Sequence, residues 1–429
     1  MSFQPERVLI TGMSVLSPFG VGLHQMWSGL SENQCGLGPI RGFDSESFPC
    51  GVAGELPVEF SLEDHLPRKL LSRMDPVQAL STIACGMALE HSEINLESVD
   101  STRFGVSGGT CFGSTTSLCE SVDRYHRGGW RSISPHTGPR TCLSGVAAWP
   151  AIHHGLQGPN QSLSLACSSG NAAVANAFTR IRQGHADRML AVAADLLHPT
   201  SQAVFQRIRG LAKAPEPGKE PRILPFSRNR TGTVLSEGAA AILLERESVA
   251  RARGATIHGE LLGFGESCDA FHMAAPRSDG QGVALAIRSC LQHARLSSEQ
   301  IDLVSAHGSG TVANDAAEVR GIKTALGGRA HQIPVIAPKS QLGHTMGASA
   351  LVETIAALVG SREGVVTPTL HLDEADPECD LDHVPNRARP APYSIFLNLS
   401  SGFGGQNVAL AARGISSPRT HFSSKESTP

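Results

Sequence analysis

Short apolar, β-branched runs alternate along the chain with alanine-rich stretches whose apolar residues recur at helical spacing, the signature of an α/β fold. VLITGMSVL (8–16) predicts a first strand. SLSLA (162–166) predicts a buried strand that runs into Cys167. The following SSGNAAVANAFTRIRQ predicts a helix, with Ala173, Ala177 and Ile181 on one face, Phe178 beside them and Gly184 as the stop. IPVIA (333–337) predicts another strand, followed by PKSQLGH and a helix, TMGASALVETIAALV, ending at Gly360. IDLVSA (301–306) ends at His307 and leads into the helical AAEVRGIKTAL. Cys167, His307, Lys339 and His344 therefore all follow predicted strands, and open α/β sheets place ligands just past the carboxyl ends of strands. The repetition predicts two similar halves, 1–255 and 256–413. KAPEPGKEPRILP (213–225) reads as a surface loop, and 414–429 as a polar, disordered tail.

Composition narrows the function. Of 429 residues only 17% are charged, against about 25% in an average soluble chain, and 45 are glycine. That suits a tightly packed interior and buried subunit contact. A net charge of −3 argues against a nucleic-acid partner. No apolar run reaches the ~18 residues of a membrane span. The first residues lack the charged-then-apolar order of a signal peptide. Ten cysteines at irregular spacings, without CxxC, read as reduced thiols of a cytoplasmic protein.

Cys167 is the first candidate for chemistry. Most cysteines are structural, but this one sits at a strand-to-helix turn. Ser168, Ser169, Gly170 and Asn171 allow a sharp bend there, and the amides of the first helical turn favour a thiolate. His307 in AHGSGT and His344 in GHTMGAS lie beside glycines that let a ligand approach the backbone. With 18 histidines in the chain, a histidine alone says little. Lys339 stands in the same glycine-rich loop as His344, although a lone lysine is usually solvated surface. SSGFGGQN (400–407) is a flexible loop, or a means of turning the Phe403 amide toward a reacting oxygen. Rival motifs are weaker. GVSGG (105–109) fits a serine-hydrolase elbow by letter, but no clear helix follows Ser107. Gly20-Val21-Gly22 lacks the third glycine of a dinucleotide fingerprint, and neither a Walker A sequence nor paired-cysteine zinc spacing occurs, so no metal site is expected.

The motifs RVLITGMSVLSPFG, LACSSG, DAFHMAAPRSDG, AHGSGTVANDAAEV, KSQLGHTMGASALVE and GFGGQN resemble, in order and spacing, those of the elongating β-ketoacyl-acyl-carrier-protein synthases and type II polyketide ketosynthases. The resemblance spans about 7–413. It implies the thiolase fold, two pseudo-symmetric halves in five α-β-α-β-α layers. It implies Cys167 as acyl acceptor, His307 and His344 as the histidine pair, Lys339 as support and Glu353 as an orienting carboxylate. Asp315 and Glu318 match the acids after the first histidine motif. Ser309 and Thr311 match positions that bind the phosphopantetheine arm. Phe403 matches a gate whose amide shares the oxyanion hole with that of Cys167. Cys111 and Phe112 fall where relatives line the acyl channel, although an aromatic is also an ordinary core residue. Lys69, Arg73, Arg131 and Arg209 match carrier-docking positions.

The implied reaction is decarboxylative condensation of malonyl-carrier protein with an acyl group on Cys167. It needs no cofactor beyond the carrier's own phosphopantetheine. The implied partners are acyl carrier protein and a second subunit, as a homodimer or as a heterodimer with a chain-length partner. Four departures bear on substrate choice. Ala274 stands where relatives often have Thr, Ser227 and Thr231 replace acids in PFSRNRTG, and Ser236 replaces Gly before Glu237. TTSLCE (115–120) leans toward the polyketide branch. A thiolase would carry a second cysteine where this chain has Phe403. A chain-length partner would lack the nucleophile, and a starter-unit synthase would show a His/Asn pair.

Overall fold

The computed structural model describes residues 6–216 and 218–415. The expected tail lies outside the described residues except for Gly414 and Ile415, and Gly414 ends a strand. Ten strands form the main sheet path: β1 Val8–Ser17, β2 Phe104–Gly109, β3 Asn160–Leu163, β4 Arg188–Asp195, β5 Gly238–Arg246, β6 Gly259–Cys268, β7 Leu303–Ser305, β8 Val335–Ile336, β9 Ile395–Gly402 and β10 Gln406–Gly414. The principal helices are α1 Pro76–His91, α2 Thr115–Gly128, α3 Gly145–His154, α4 Ser169–Arg182, α5 Gln281–Ala294, α6 Val312–Leu326 and α7 Ser349–Glu363.

The duplication is visible in the strand order. From its inner strand outward the first half runs β1-β5-β4-β2-β3, and the second runs β6-β10-β9-β7-β8. The senses repeat as well: two antiparallel pairings followed by two parallel ones in each half. The halves meet where Val8–Ile10 pair with Gly259–Leu261.

Between the sheets lies a core that joins Val8, Ile10, Val174, Phe178, Leu351, Ile355 and Leu410. It contains α4 and α7, and α7 is buried from Ser349 through Ser361. A helix apolar all round has to be an interior layer. On the outer face of the first sheet, α1 and α3 pack through Leu80, Ile83, Ala84 and Val146. On that of the second, α5 and α6 pack through Ile287, Cys290, Val319 and Ile322. The result is the five-layer thiolase arrangement.

Two local expectations need correction. SLSLA is not a buried strand: β3 spans Asn160–Leu163, half-exposed at the sheet edge, because it has a neighbour on one side only. Ser164–Ala166 have already left the sheet. Gly360 does not end its helix. It lies inside α7, where a Cβ would stand 2.4 Å from the Tyr393 hydroxyl, and the left-handed Gly364 is the stop.

Candidate active site

The turn before α4 aims Cys167 into the interior. Ala166 adopts φ +48°, a strained left-handed conformation for a residue with a side chain. Its neighbours fix the bend: Ser169 Oγ donates to the Ala166 carbonyl at 2.6 Å and accepts from Leu165 N at 2.9 Å. Cys167 is only 4% exposed but lines a cavity of about 240 Å³ with His307, His344, Ser309, Thr311, Ala274 and Phe403.

His344 Nε2 lies 3.1 Å from Cys167 Sγ, and its Nδ1 lies 2.9 Å from Ser349 Oγ at the start of α7. With Ser349 donating to Nδ1, Nε2 carries the proton and donates to sulfur. The His307 ring stands edge-on to that of His344, centroids 5.4 Å apart. Burial, with Lys339 and His344 nearby, pushes the His307 pKa well down, which keeps the ring neutral. Its Nδ1 is buried without a partner among the described residues. The His307 and Gly308 amides donate to the two oxygens of Glu318 at 2.6 and 2.9 Å. Burial raises the Glu318 pKa to about 7. Asp315 accepts from Phe226 N and Gly310 N and so braces the same loop.

Lys339 Nζ donates to Glu353 Oε1 at 2.6 Å, and both side chains are almost wholly buried. A hydrogen bond from the Cys111 side chain, with His344 and Lys339 nearby, holds the Cys167 pKa well below the usual thiol value despite burial. The stretch 400–407 is not a flexible loop but the end of the β9–β10 hairpin, with residues 403–405 as its turn, and it packs on the nucleophile turn. A Cβ on Gly402 would stand 3.2 Å from Cys167 N, and Ser168 Oγ donates to the Gln406 carbonyl at 2.9 Å. Phe403 packs on Phe205, centroids 5.4 Å apart, and Phe205 meets Phe112 edge-on at 6.3 Å.

Ser309 and Thr311 lie on the cavity wall with their hydroxyls 3.0 Å apart. Arg209 also lines it, whereas Lys69 and Arg73 are exposed at the Arg68–Leu71 helix and Arg131 lies over the Trp130 ring. The sequence reading missed Asp195. This fully buried carboxylate accepts from Thr110 Oγ1, Cys111 N, Phe112 N and Gly347 N at 2.8–3.0 Å. It ties the Cys111–Phe112 turn to the segment after His344. An acid closing the apolar run MLAVAA of the RMLAVAAD strand was the available signal. Among the described residues, no group of three His, Cys, Asp or Glu side chains is arranged to hold a metal.

A cysteine facing two histidines where the sheets of a duplicated fold converge defines a thiolase-fold acyltransferase. The chain matches the models of the beta-ketoacyl synthase N-terminal domain over residues 5–250 and C-terminal domain over 258–373, and it belongs to the beta-ketoacyl synthase family. It is 35% identical to 3-oxoacyl-[acyl-carrier-protein] synthase 2 of Synechocystis, covering 96% of this chain and 98% of the relative. It is 37% identical to the tetracenomycin polyketide synthase ketoacyl synthase alpha subunit of Streptomyces glaucescens, covering 95% and 97%. Among solved structures it resembles a chain of the ishigamide ketosynthase/chain length factor, with a TM-score of 0.88 and 32% identity over 96% of this chain and 100% of that one. A chain from a type II polyketide synthase acyl-carrier protein in complex with its ketosynthase, bound to the hexaketide, gives a TM-score of 0.87 and 31% identity, at the same coverage.

Proposed function

We propose that the chain is a β-ketoacyl-carrier-protein synthase of a type II fatty-acid or polyketide system, with Cys167 as the acyl acceptor. The observation that carries this reading is the 3.1 Å contact between His344 Nε2 and a buried Cys167 sulfur in a cavity shared with His307. The Cys167 thiolate attacks the acyl thioester on the carrier, and the carrier's pantetheine thiol leaves. The tetrahedral oxyanion is met by the amides of Cys167 and Phe403. Malonyl-carrier protein then enters with its arm beside Ser309 and Thr311. As carbon dioxide leaves, His307 and His344 donate to the enolate oxygen, and the carbanion attacks the acyl-Cys167 carbonyl. The product leaves as the β-ketoacyl thioester and the Cys167 thiolate returns. Lys339, paired with Glu353, keeps positive charge near the sulfur, while Glu318 and Asp315 hold the His307 loop. The only prosthetic group involved is the phosphopantetheine on the carrier.

We infer that a second chain covers the exposed stripe of α2. Leu118, Val122 and Tyr125, one helical stripe on α2, are 54%, 48% and 56% exposed, and Trp130 stands beyond them at 71%. An exposed apolar stripe of this size supports association with another copy or with a chain-length partner, as in the named ketosynthase/chain length factor. The function is tested by incubating the protein with acyl-carrier protein and malonyl-carrier protein. One acyl mass on the Cys167 peptide and a β-ketoacyl-carrier product are expected. An equal adduct on Cys167→Ala overturns the assignment.

A further inference from the structure

Asp195 closes β4 wholly buried, and each of its oxygens accepts two hydrogen bonds. Oδ1 accepts from Thr110 Oγ1 and Phe112 N, both at 3.0 Å. Oδ2 accepts from Cys111 N and Gly347 N, both at 2.8 Å. One carboxylate thus joins the 110–112 segment to the single turn Met346–Ala348 that separates His344 from α7. The approach is close. A Cβ on Gly347 would stand 2.6 Å from Asp195 Oδ2 and 2.7 Å from Cys111 N, so only glycine fits. Two residues further on, Ser349 Oγ lies 2.9 Å from His344 Nδ1. A continuous path therefore runs from Asp195 through Gly347 and Ser349 to His344, and ends at the Cys167 sulfur. Ser169 Oγ lies 3.0 Å from the Thr110 carbonyl, which ties the nucleophile turn to the same 110–112 segment.

We propose that Asp195 is a positioning residue for the condensation, which holds His344 at the sulfur by anchoring Gly347. Asp195 does not line the cavity, so it acts through His344 and not on substrate. The segment that carries His344 cannot hold itself. Gly343 and Met346 both have positive φ, +73° and +48°, and a strained residue such as Met346 persists only where its surroundings over-determine it. The bond from Gly347 N to Asp195 is the adjacent restraint. Burial lifts the Asp195 pKa to about 6, so at neutral pH it accepts as a carboxylate, and its bonds are charge-assisted.

Asparagine separates the acceptor from the charge. Its amide oxygen can keep the bonds from Cys111 N and Gly347 N while its NH₂ group donates to the Thr110 hydroxyl. Alanine keeps none of them. If the anchor on Gly347 is what matters, asparagine preserves function and alanine does not.

The inference rests on the condensation reading, and the test separates the two. Carbon dioxide release from malonyl-carrier protein is measured on the full-length protein. Asp195→Ala should lower kcat by about tenfold to a hundredfold, while KM for the carrier changes by less than about twofold. Asp195→Asn should stay within about threefold of the parent. Combined with His344→Ala, Asp195→Ala should cause no further loss. Losses that multiply in the double variant overturn the proposal, because Asp195 would then act independently of His344. So does an Asp195→Asn as slow as Asp195→Ala, which would make charge the operative property. Should Asp195→Ala show no cooperative urea transition, Asp195→Ser takes its place in the same cycle, decided by the same outcomes. A parent that releases no carbon dioxide would instead sink the condensation reading itself.

Discussion

His344 Nε2 touches Cys167 Sγ at 3.1 Å although the two residues stand 177 positions apart, one from each repeat. In the proposed reaction His344 is both a partner of the thiolate and a donor for the enolate. His344→Ala removes one charged hydrogen bond from sulfur, worth about 1.5–3 kcal/mol. Acyl loading should slow by roughly tenfold to a hundredfold yet persist. Release of carbon dioxide from malonyl-carrier protein should fall further, by about 10²–10³, as expected for a lost oxyanion donor. Radiolabelled loading and carbon dioxide assays separate the two. Lost loading with intact decarboxylation would reverse the roles.

The buried Lys339–Glu353 pair predicts a stability effect that is separable from catalysis. Lys339→Met leaves the Glu353 carboxylate uncompensated and should cost about 3–5 kcal/mol. Adding Glu353→Gln removes that stranded charge and should restore most of the loss in urea denaturation, while condensation stays impaired. A double variant no more stable than Lys339→Met would show that the pair does not act as one unit.

Glu318 gives a pH dependence. Its native pKa is about 7 against an ordinary 4.5, so the folded chain binds the proton more tightly than the unfolded chain does. That contribution to stability is fully present below about 4.5 and is lost as pH rises through about 7. Urea midpoints of the parent should therefore decline relative to those of Glu318→Gln across this window. Parallel profiles would refute the assignment.

Much of this site was legible because short-range chemistry writes itself into short motifs. Cys167 needs a tight turn and a helix start, and LACSSG spells both. The glycines around His307 and His344 mark the close packing of their loops: Gly308 and Gly343 have φ of +44° and +73°. Long-range relations were not legible. Nothing near Asp195 announces that it gathers three donors from 110–112 and one from Gly347. Periodicity also misplaced edges. SLSLA alternates like a buried strand, but whether a strand is central or at an edge depends on distant pairing partners. Gly360 reads as a stop because glycine is a poor helix former. Here its missing side chain is what admits Tyr393.

For carrier docking, the placement of the four basic residues sets an order. Arg209 lines the cavity and has φ +59°, whereas Lys69, Arg73 and Arg131 do not line it. Arg209→Glu should raise KM for the carrier-bound substrate most, in a salt-sensitive way, and leave turnover of a small thioester analogue alone. The other three reversals should give smaller increases. If none of the four changes KM, the patch is not a docking site.

Phe112 is expected to limit the accepted chain length, because Phe205 stands between its ring and that of Phe403. Asp195 holds its amide at 3.0 Å, its ring meets Phe205 edge-on, and Phe205 in turn packs on Phe403. A ring behind the gate occupies space that a long acyl tail needs, and forcing extra volume into a packed apolar site costs about 1–3 kcal/mol. Phe112→Ala removes that obstacle. Longer acyl-carrier substrates should gain in relative kcat/KM while short ones change little. A loss of the Phe403 amide from the oxyanion hole would act differently, lowering kcat for every chain length alike. Measuring kcat/KM across a homologous acyl series distinguishes the two. A profile parallel to that of the parent, whether lowered or unchanged, would leave Phe112 as packing for the Phe205–Phe403 pair and remove it as a determinant of length.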